Sequence, residues 1–515
     1  MKNSSATYHM AEGSKKKIFS GSVSGILAKV VDAFIKLFTI PLLIGYYGEA
    51  DYGLIVLAIS LNAYLRLMDL GMNTGAIRYF SIWFANKEHG KVLQAAQSSV
   101  LVYGLIGITN GAILCALALW AEEIFVVAPE QAHILRWMLY TLAITAIFYW
   151  ISYVTTQLLV ASGQITWTNY GLIISSILNL GTAFLAIYFD LPLPMYFALY
   201  VVATLVILPF NFLKLKSLPV SALQAFIPKW NPVVFKEIFN YSLGIFAIGL
   251  FNYSADALRP VLLGIFSSRG IAVLTDYKIM NTIVMLVGAI GTVFLQVLLP
   301  IASQSFAAQD HVKMNRLVFD GTKFLTIFLS FLIFIIITSI ESLLVVYVGE
   351  QYSDLSYWLS LWLLLMFYMH DFAISSLILS IGKTRQLIYS SAIAAVVSLL
   401  IMAFLIPTYE VGSAVIGFGI FIFVQILFNY LYFLPVVLKI NAKKVFFRSF
   451  LPPVLVGLAA FSIITYCQKF LKTESGILPI VINSIGFTIL FVALTLTILI
   501  KPRELRSLLN DTFKK

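Results

Sequence analysis

Eleven charged side chains interrupt long apolar stretches of this 515-residue chain. Lys29, Asp32 and Lys36 follow one another at i, i+3 and i+7, which sets all three on one face of a helix. Arg66 and Asp69 repeat the i, i+3 spacing, with Arg78 three turns further on; Asp256 and Arg259 repeat it again. Asp276 with Lys278, and Asp371 beside His370, complete the set. At about 3 kcal/mol each, leaving eleven such charges toward lipid would cost on the order of 33 kcal/mol, so pairing or an aqueous cavity must receive them. Six basic residues against five acidic ones leave one positive charge over, and Lys29 and Lys36 share only Asp32. The chemistry this suits is capture of an anion by Lys29, Lys36, Arg66, Arg78, Arg259 and Lys278. The carboxylates Asp32, Asp69, Asp256, Asp276 and Asp371 then serve as ion-pair partners or as sites that take up a coupling cation.

Plainer roles compete at several positions. Arg66–Asp69 and Asp256–Arg259 also read as intrahelical ion pairs that lock packing. Asp276 and Lys278 lie close enough to an outer helix end to snorkel, and Arg78 can reach the opposite headgroups. His370 stands as an isolated imidazole, suited equally to packing and to proton handling. His89 and His311 read as turn residues. Tyr149, Tyr153 and Tyr368 are open to two readings, core packing or stacking on sugar rings. No spacing suits a metal ion and no glycine-rich loop cradles phosphate, so the chain is expected to need no cofactor, and it is expected to be no enzyme.

The elements that must position these charges are membrane helices. Mean hydropathy is +0.95, with 60% hydrophobic and 11% charged residues, which excludes an ordinary soluble protein. Apolar runs of spanning length predict fourteen crossings between residues 18 and 500, several of them long enough to tilt or kink. With the N-terminus in the cytoplasm, the predicted cytoplasmic segments hold 23 Lys and Arg, against four (Arg136, Arg269, Lys469, Lys472) outside. The net charge of +11 therefore reports orientation, with both termini cytoplasmic, and not nucleic-acid binding. Cys115 and Cys467 sit in apolar runs and read as free thiols. The first apolar stretch is too long and too charged for a cleavable signal peptide.

The second half of the sequence is a faded copy of the first. Pro41, Gly45, Glu122, Gly163 and Tyr170 recur 219 residues later as Pro260, Gly264, Glu341, Gly382 and Tyr389. Phe84-Ala85, His89 and Lys91 recur 222 residues later as Phe306-Ala307, His311 and Lys313. Six crossings per copy, an even number, make the repeat parallel. The expected organisation is a cytoplasmic arm (1–17), an N-lobe of six helices (18–216), a cytoplasmic linker (217–236), a C-lobe of six (237–438), an appended helix pair with its preceding loop (439–500), and an amphipathic tail lying on the inner leaflet (501–515). Helices 1, 2, 7 and 8 carry ten of the eleven charges, which suits a cleft between two lobes of an alternating-access transporter. No outer loop is long enough to house a catalytic domain, which argues against a polymerase or ligase.

Ile40-Pro41-Leu42-Leu43 through Gly48, Asp51-Tyr52-Gly53, Met68-Asp69-Leu70-Gly71-Met72 and Arg78-Tyr79 resemble the opening of the Wzx-type polysaccharide flippases, within the multidrug/oligosaccharidyl-lipid/polysaccharide superfamily. The resemblance implies export of an undecaprenyl-diphosphate-linked oligosaccharide, an O-antigen or other polysaccharide repeat unit, from the inner to the outer leaflet of a bacterial cytoplasmic membrane. It further implies a cationic cavity built from the first, second, seventh and eighth helices, and association with glycan-assembly proteins such as a polysaccharide polymerase. Fourteen helices also suit the related lipid II flippases. A multidrug exporter of the superfamily suits less well, because its organic cations favour a carboxylate-rich cavity.

Overall fold

The computed structural model describes residues 12–381, 384–471 and 476–499, and among these it is helical with no strand. Residues 1–11 of the N-terminal arm, the C-terminal tail, Gly382, Lys383 and Lys472 lie outside the described residues, and the rest of the arm, 12–17, opens the first helix. Twelve helices are long and apolar enough to cross a membrane. Two further long helices, Glu12–Tyr47 (36 residues) and Pro232–Phe266 (35 residues), carry Lys29, Asp32 and Lys36 or Asp256 and Arg259 in their interiors. The protein is an all-α polytopic membrane protein.

The helices group into two compact units, Met1–Ile265 with Gly270–Ala272, and Phe266–Arg269 with Val273–Lys515. In the first, His89–Leu119 lies along Pro129–Ala161. Gly107 and Gly111 sit at this contact in a small-xxx-small pattern, which lets backbones approach closely where no hydrophobic effect drives helices together. A Cβ on Gly107 would stand 2.7 Å from the Cα of Ile147. Phe80, Trp83, Tyr103, Trp150 and Leu159 belong to one buried core of this unit. The linker closes over it: Ser98 donates to the Lys229 carbonyl (3.2 Å) and accepts from the Asn231 N–H (2.9 Å).

The helix Pro232–Phe266 opens the second copy of the repeat, yet nearly all of it belongs to the first packing unit. Gly75 leaves room for Ser242, the Gly71 backbone lies against the Ser242 carbonyl, and Tyr253 Oη donates to the Ala63 carbonyl (2.5 Å). Gly71 and Gly75 thus seat it.

In the second unit, Thr384–Tyr409 packs along Val411–Phe428, and the last two helices dock on His311–Ile337. Gly457 lies under the Phe334 ring, Asn483 Nδ2 donates to Ser339 Oγ (3.1 Å), and Phe331 meets Phe487 and Phe491.

Local geometry recurs with the repeat. Lys87 and Gln309, 222 residues apart, are both left-handed (φ 59° and 52°), and each precedes a helix that starts at a histidine, His89 or His311. Asp190 and Glu410 have positive φ as well (52° and 48°). Asp190 accepts from Tyr46 Oη at the end of the first helix, and Glu410 accepts from the Ser267 and Ser268 hydroxyls just after Phe266. A carboxylate thus accepts from a hydroxyl at the end of Glu12–Tyr47, and another accepts from hydroxyls just past Pro232–Phe266.

Candidate functional site

The predicted second crossing, 51–84, is interrupted. Glu49–Leu65 passes into a 3₁₀ turn, Arg66–Asp69; Leu70 (φ 49°) and Gly71 (φ 75°) are left-handed, and a new helix runs Met72–Ala85. A left-handed leucine is costly, because Cβ approaches the following carbonyl oxygen. A Cβ on Gly71 would stand 2.6 Å from the Ser242 carbonyl oxygen, so glycine is required there twice over.

The break decides the fate of both charges. Asp69 accepts from the Asn73 N–H (3.1 Å) at the start of the new helix and from Tyr103 Oη (2.6 Å). Gln157 Nε2 donates to that same Tyr103 oxygen (2.8 Å) and to Asn73 Oδ1 (3.2 Å). Tyr103 and Gln157 are completely buried, and Tyr103 stacks on Trp150 and Tyr153. The intrahelical Arg66–Asp69 ion pair expected from spacing does not form. Arg66 instead lies over the Tyr149 ring (5.4 Å), in a cation–π arrangement with Tyr153, Tyr200 and Tyr253 also nearby. Among the described residues no carboxylate lies within ion-pair distance of its guanidinium. Arg66 borders a cavity of about 60 Å³, whose polar lining includes Asn62, Thr145 and Thr204. That is room for a few waters or one phosphate-sized group.

The other candidates in the first unit take three forms. Lys36 pairs with Asp32 (2.6 Å), both half exposed, and Ser176 Oγ also donates to Asp32 (3.1 Å); Lys29 is exposed. Arg78 is exposed and lies over the ring of Tyr241 at 4.1 Å. Arg259 is buried and meets Asp256 at 2.9 Å, leaving the carboxylate largely exposed. The Asp256–Arg259 pair expected from spacing is therefore present.

In the second unit Asp276 is buried and held by Arg269 (2.5 Å), a residue of the turn before its helix, and Lys278 is half-buried. Asp371 is buried, accepting from Asn429 Nδ2 and from Ser375 Oγ (3.1 Å), with its Oδ1 unpartnered. His370 is not an isolated imidazole: its Nδ1 meets the Phe367 carbonyl (2.7 Å), its Nε2 meets Tyr430 Oη (2.8 Å), and Phe450 covers the ring. Tyr368 packs against Phe372 and Phe418, whereas Tyr149 and Tyr153 surround Arg66.

Sequence reasoning missed Tyr103, Gln157, Asn73, Tyr200, Asn429 and Tyr430. The Gln157 and Asn429 amides inside apolar runs were the available signal, since an amide in hydrocarbon demands a partner. Among the described residues no group of three metal-ligating side chains occurs.

No protein-family model matches the chain, and neither does any curated protein sequence. Solved structures do. The chain is similar to one described as the lipid II flippase MurJ in an inward closed conformation (TM-score 0.72, 12% identity, 92% of this chain and 97% of that one). It is also similar to an inward-facing multidrug-resistance MATE family transporter of the MOP superfamily (0.60, 12% identity, 87% and 100%). A third similar structure is a MOP superfamily transporter from Pyrococcus furiosus, described as having a binding pocket of reverse polarity (0.56, 16% identity, 84% and 96%). The chain therefore shares the fold of the MurJ and MATE transporters.

Proposed function

We propose that the protein is a flippase that carries an undecaprenyl-diphosphate-linked oligosaccharide from the cytoplasmic to the outer leaflet of a bacterial cytoplasmic membrane by alternating access. The observation that carries this reading is Arg66, a guanidinium at the break in a membrane crossing, its i+3 carboxylate held by Tyr103 and Asn73. An uncompensated, accessible arginine among tyrosines and small polar groups suits a diphosphate, which its planar fork can bind bidentately. Lys29 and Arg78, exposed on the same unit, and the half-exposed Lys36 supply further positive charge for the approach of the headgroup. Arg259 and Lys278 are assigned supporting roles, because one is committed to Asp256 and the other lies half-buried. Of the carboxylates, Asp32 and Asp371 suit uptake of a coupling cation best: Asp32 is half exposed beside Lys36, and Asp371 has a buried oxygen without a partner.

Lipid II is the second substrate to consider, favoured by the likeness to the structure described as a lipid II flippase. Both substrates carry a prenyl diphosphate, so the anion-binding argument serves either; the sugar contacts separate them. The test is a proteoliposome assay with labelled undecaprenyl-diphosphate glycan, lipid II and an organic cation, scored for leaflet position and for chemical change. Translocation of intact diphosphate lipid, with no movement of the cation, is expected. Cation export alone, or conversion of the lipid to a new compound, would overturn the proposal.

A further inference from the structure

Arg66 and Asp69 ought to neutralise one another. They stand three residues apart in a 3₁₀ turn, where side chains at i and i+3 eclipse, so their Cβ atoms project from the same side. The ion pair is absent because a chain of buried donors captures the carboxylate first. Gln157 Nε2 donates to the Tyr103 oxygen, and the Tyr103 hydroxyl donates to Asp69. With one amide hydrogen on its oxygen, the tyrosine hydroxyl is oriented to give its own hydrogen to the carboxylate. The Asn73 N–H supplies the second donor, and Gln157 also fixes the Asn73 side chain. Helix Pro129–Ala161 contributes both Gln157 and Tyr149, so the helix that anchors this chain of donors also presents the ring under Arg66.

We infer that Tyr103 and Gln157 are positioning residues that sequester Asp69 and so keep the Arg66 guanidinium available for a diphosphate. The inference rests on the proposed role of Arg66 as an anion ligand. Once Asp69 is released, it is the anion nearest in sequence to Arg66, and an incoming diphosphate has to displace it.

Binding of farnesyl diphosphate to the detergent-solubilised full-length protein, measured by titration calorimetry with inorganic pyrophosphate as a headgroup-only control, tests this. Tyr103→Phe keeps the ring and removes only the hydroxyl. It is expected to weaken binding at least tenfold, and Tyr103→Phe with Asp69→Asn to return it to within threefold of the unsubstituted protein. A merely structural role for Tyr103 predicts no such rescue. If Tyr103→Phe proves too unstable to purify, Gln157→Leu, which removes the donor that orients the tyrosine, carries the same test with the same rescue. Unchanged binding by the single variant, or a double variant as weak as the single, overturns the inference. Arg66→Gln separates the two levels: if it binds like the unsubstituted protein, the anion-ligand reading of Arg66 falls and the positioning role falls with it. If Arg66→Gln alone loses binding while Tyr103→Phe does not, only the positioning role is wrong.

Discussion

Replacing Arg66 by Gln tests the anion site at its centre. The substitution leaves a shorter, neutral side chain that can still hydrogen-bond beside Asn62, Thr145 and Thr204, and removes the charge. Two contributions are lost. The cation–π contact with Tyr149 at 5.4 Å is worth about 1 kcal/mol, but it exists with and without substrate and so bears chiefly on stability. The charge-assisted hydrogen bonds to the diphosphate contribute about 2 kcal/mol to binding. At 1.4 kcal/mol per tenfold, the half-saturating concentration of lipid-linked substrate should rise roughly 30-fold. Arg66→Lys keeps the charge and loses the planar fork; a loss of about 1 kcal/mol, or roughly fivefold, is expected. The assay is the initial rate of translocation in proteoliposomes over a range of substrate densities, with protein content matched by immunoblot. If Arg66→Gln leaves the half-saturating density within twofold, the assignment of Arg66 to the substrate is refuted.

Other consequences follow from the same geometry. Gly71→Ala forces a left-handed alanine, at about 1–2 kcal/mol. It also places a methyl against the Ser242 carbonyl; overpacking of this kind costs about 1–3 kcal/mol. The variant should melt several degrees lower in detergent, and a melting curve superimposable on that of the parent would contradict the broken-helix geometry. Gly107→Val should separate His89–Leu119 from Pro129–Ala161 and lower the yield of folded protein, whereas Gly104→Val, with open space at its Cβ, should not; equal yields would remove the close-packing argument. Asp310 caps the helix His311–Ile337, and the Lys313 N–H, helped by the lysine side chain, holds its carboxyl below the usual carboxylate range. A depressed folded-state pKa means that its contribution is present above about pH 4, the ordinary aspartate value, and is lost as pH falls through the folded pKa. Asp310→Ala should therefore lower the melting temperature at pH 7 and reduce its dependence on pH below about 4; an unaltered acid limb would exclude the cap as its source.

The architecture is legible in the sequence because lipid imposes a length and a polarity on every crossing. Pro41 and Pro260 do lie inside long first helices of the two copies, and His89 and His311 do start equivalent helices. The spacing of Asp32 with Lys36 and of Asp256 with Arg259 translates into contacts, since each pair shares one turn of an unbroken helix. The same reasoning fails for Arg66 and Asp69. Glycine is common in membrane helices, so Leu70-Gly71 carries no sign of a break, and the partner that captures Asp69 lies on another helix that no periodicity links to it. His370 misleads for the same reason, its Tyr430 partner being supplied by tertiary packing. The grouping of Pro232–Ile265 with the first unit is equally invisible, because it depends on Gly75 and Gly71 meeting Ser242 and not on any property of the helix alone.

If the protein moves a polyanionic lipid outward, as proposed, the membrane potential must drive it. A diphosphate bearing two negative charges gains about 4.6 kcal/mol on leaving an interior about 100 mV negative, at about 2.3 kcal/mol per charge. That corresponds to a concentration bias of a few thousandfold. Proteoliposomes with labelled undecaprenyl-diphosphate glycan in the lumenal leaflet, loaded with potassium and given valinomycin, impose such a potential without a proton or sodium gradient. Outward translocation is expected to quicken as the interior is made more negative and to slow when the potential is reversed. A rate that ignores the potential and follows only a proton or sodium gradient would contradict potential-driven transport and make Asp32 or Asp371 the first residues to test as the coupling site.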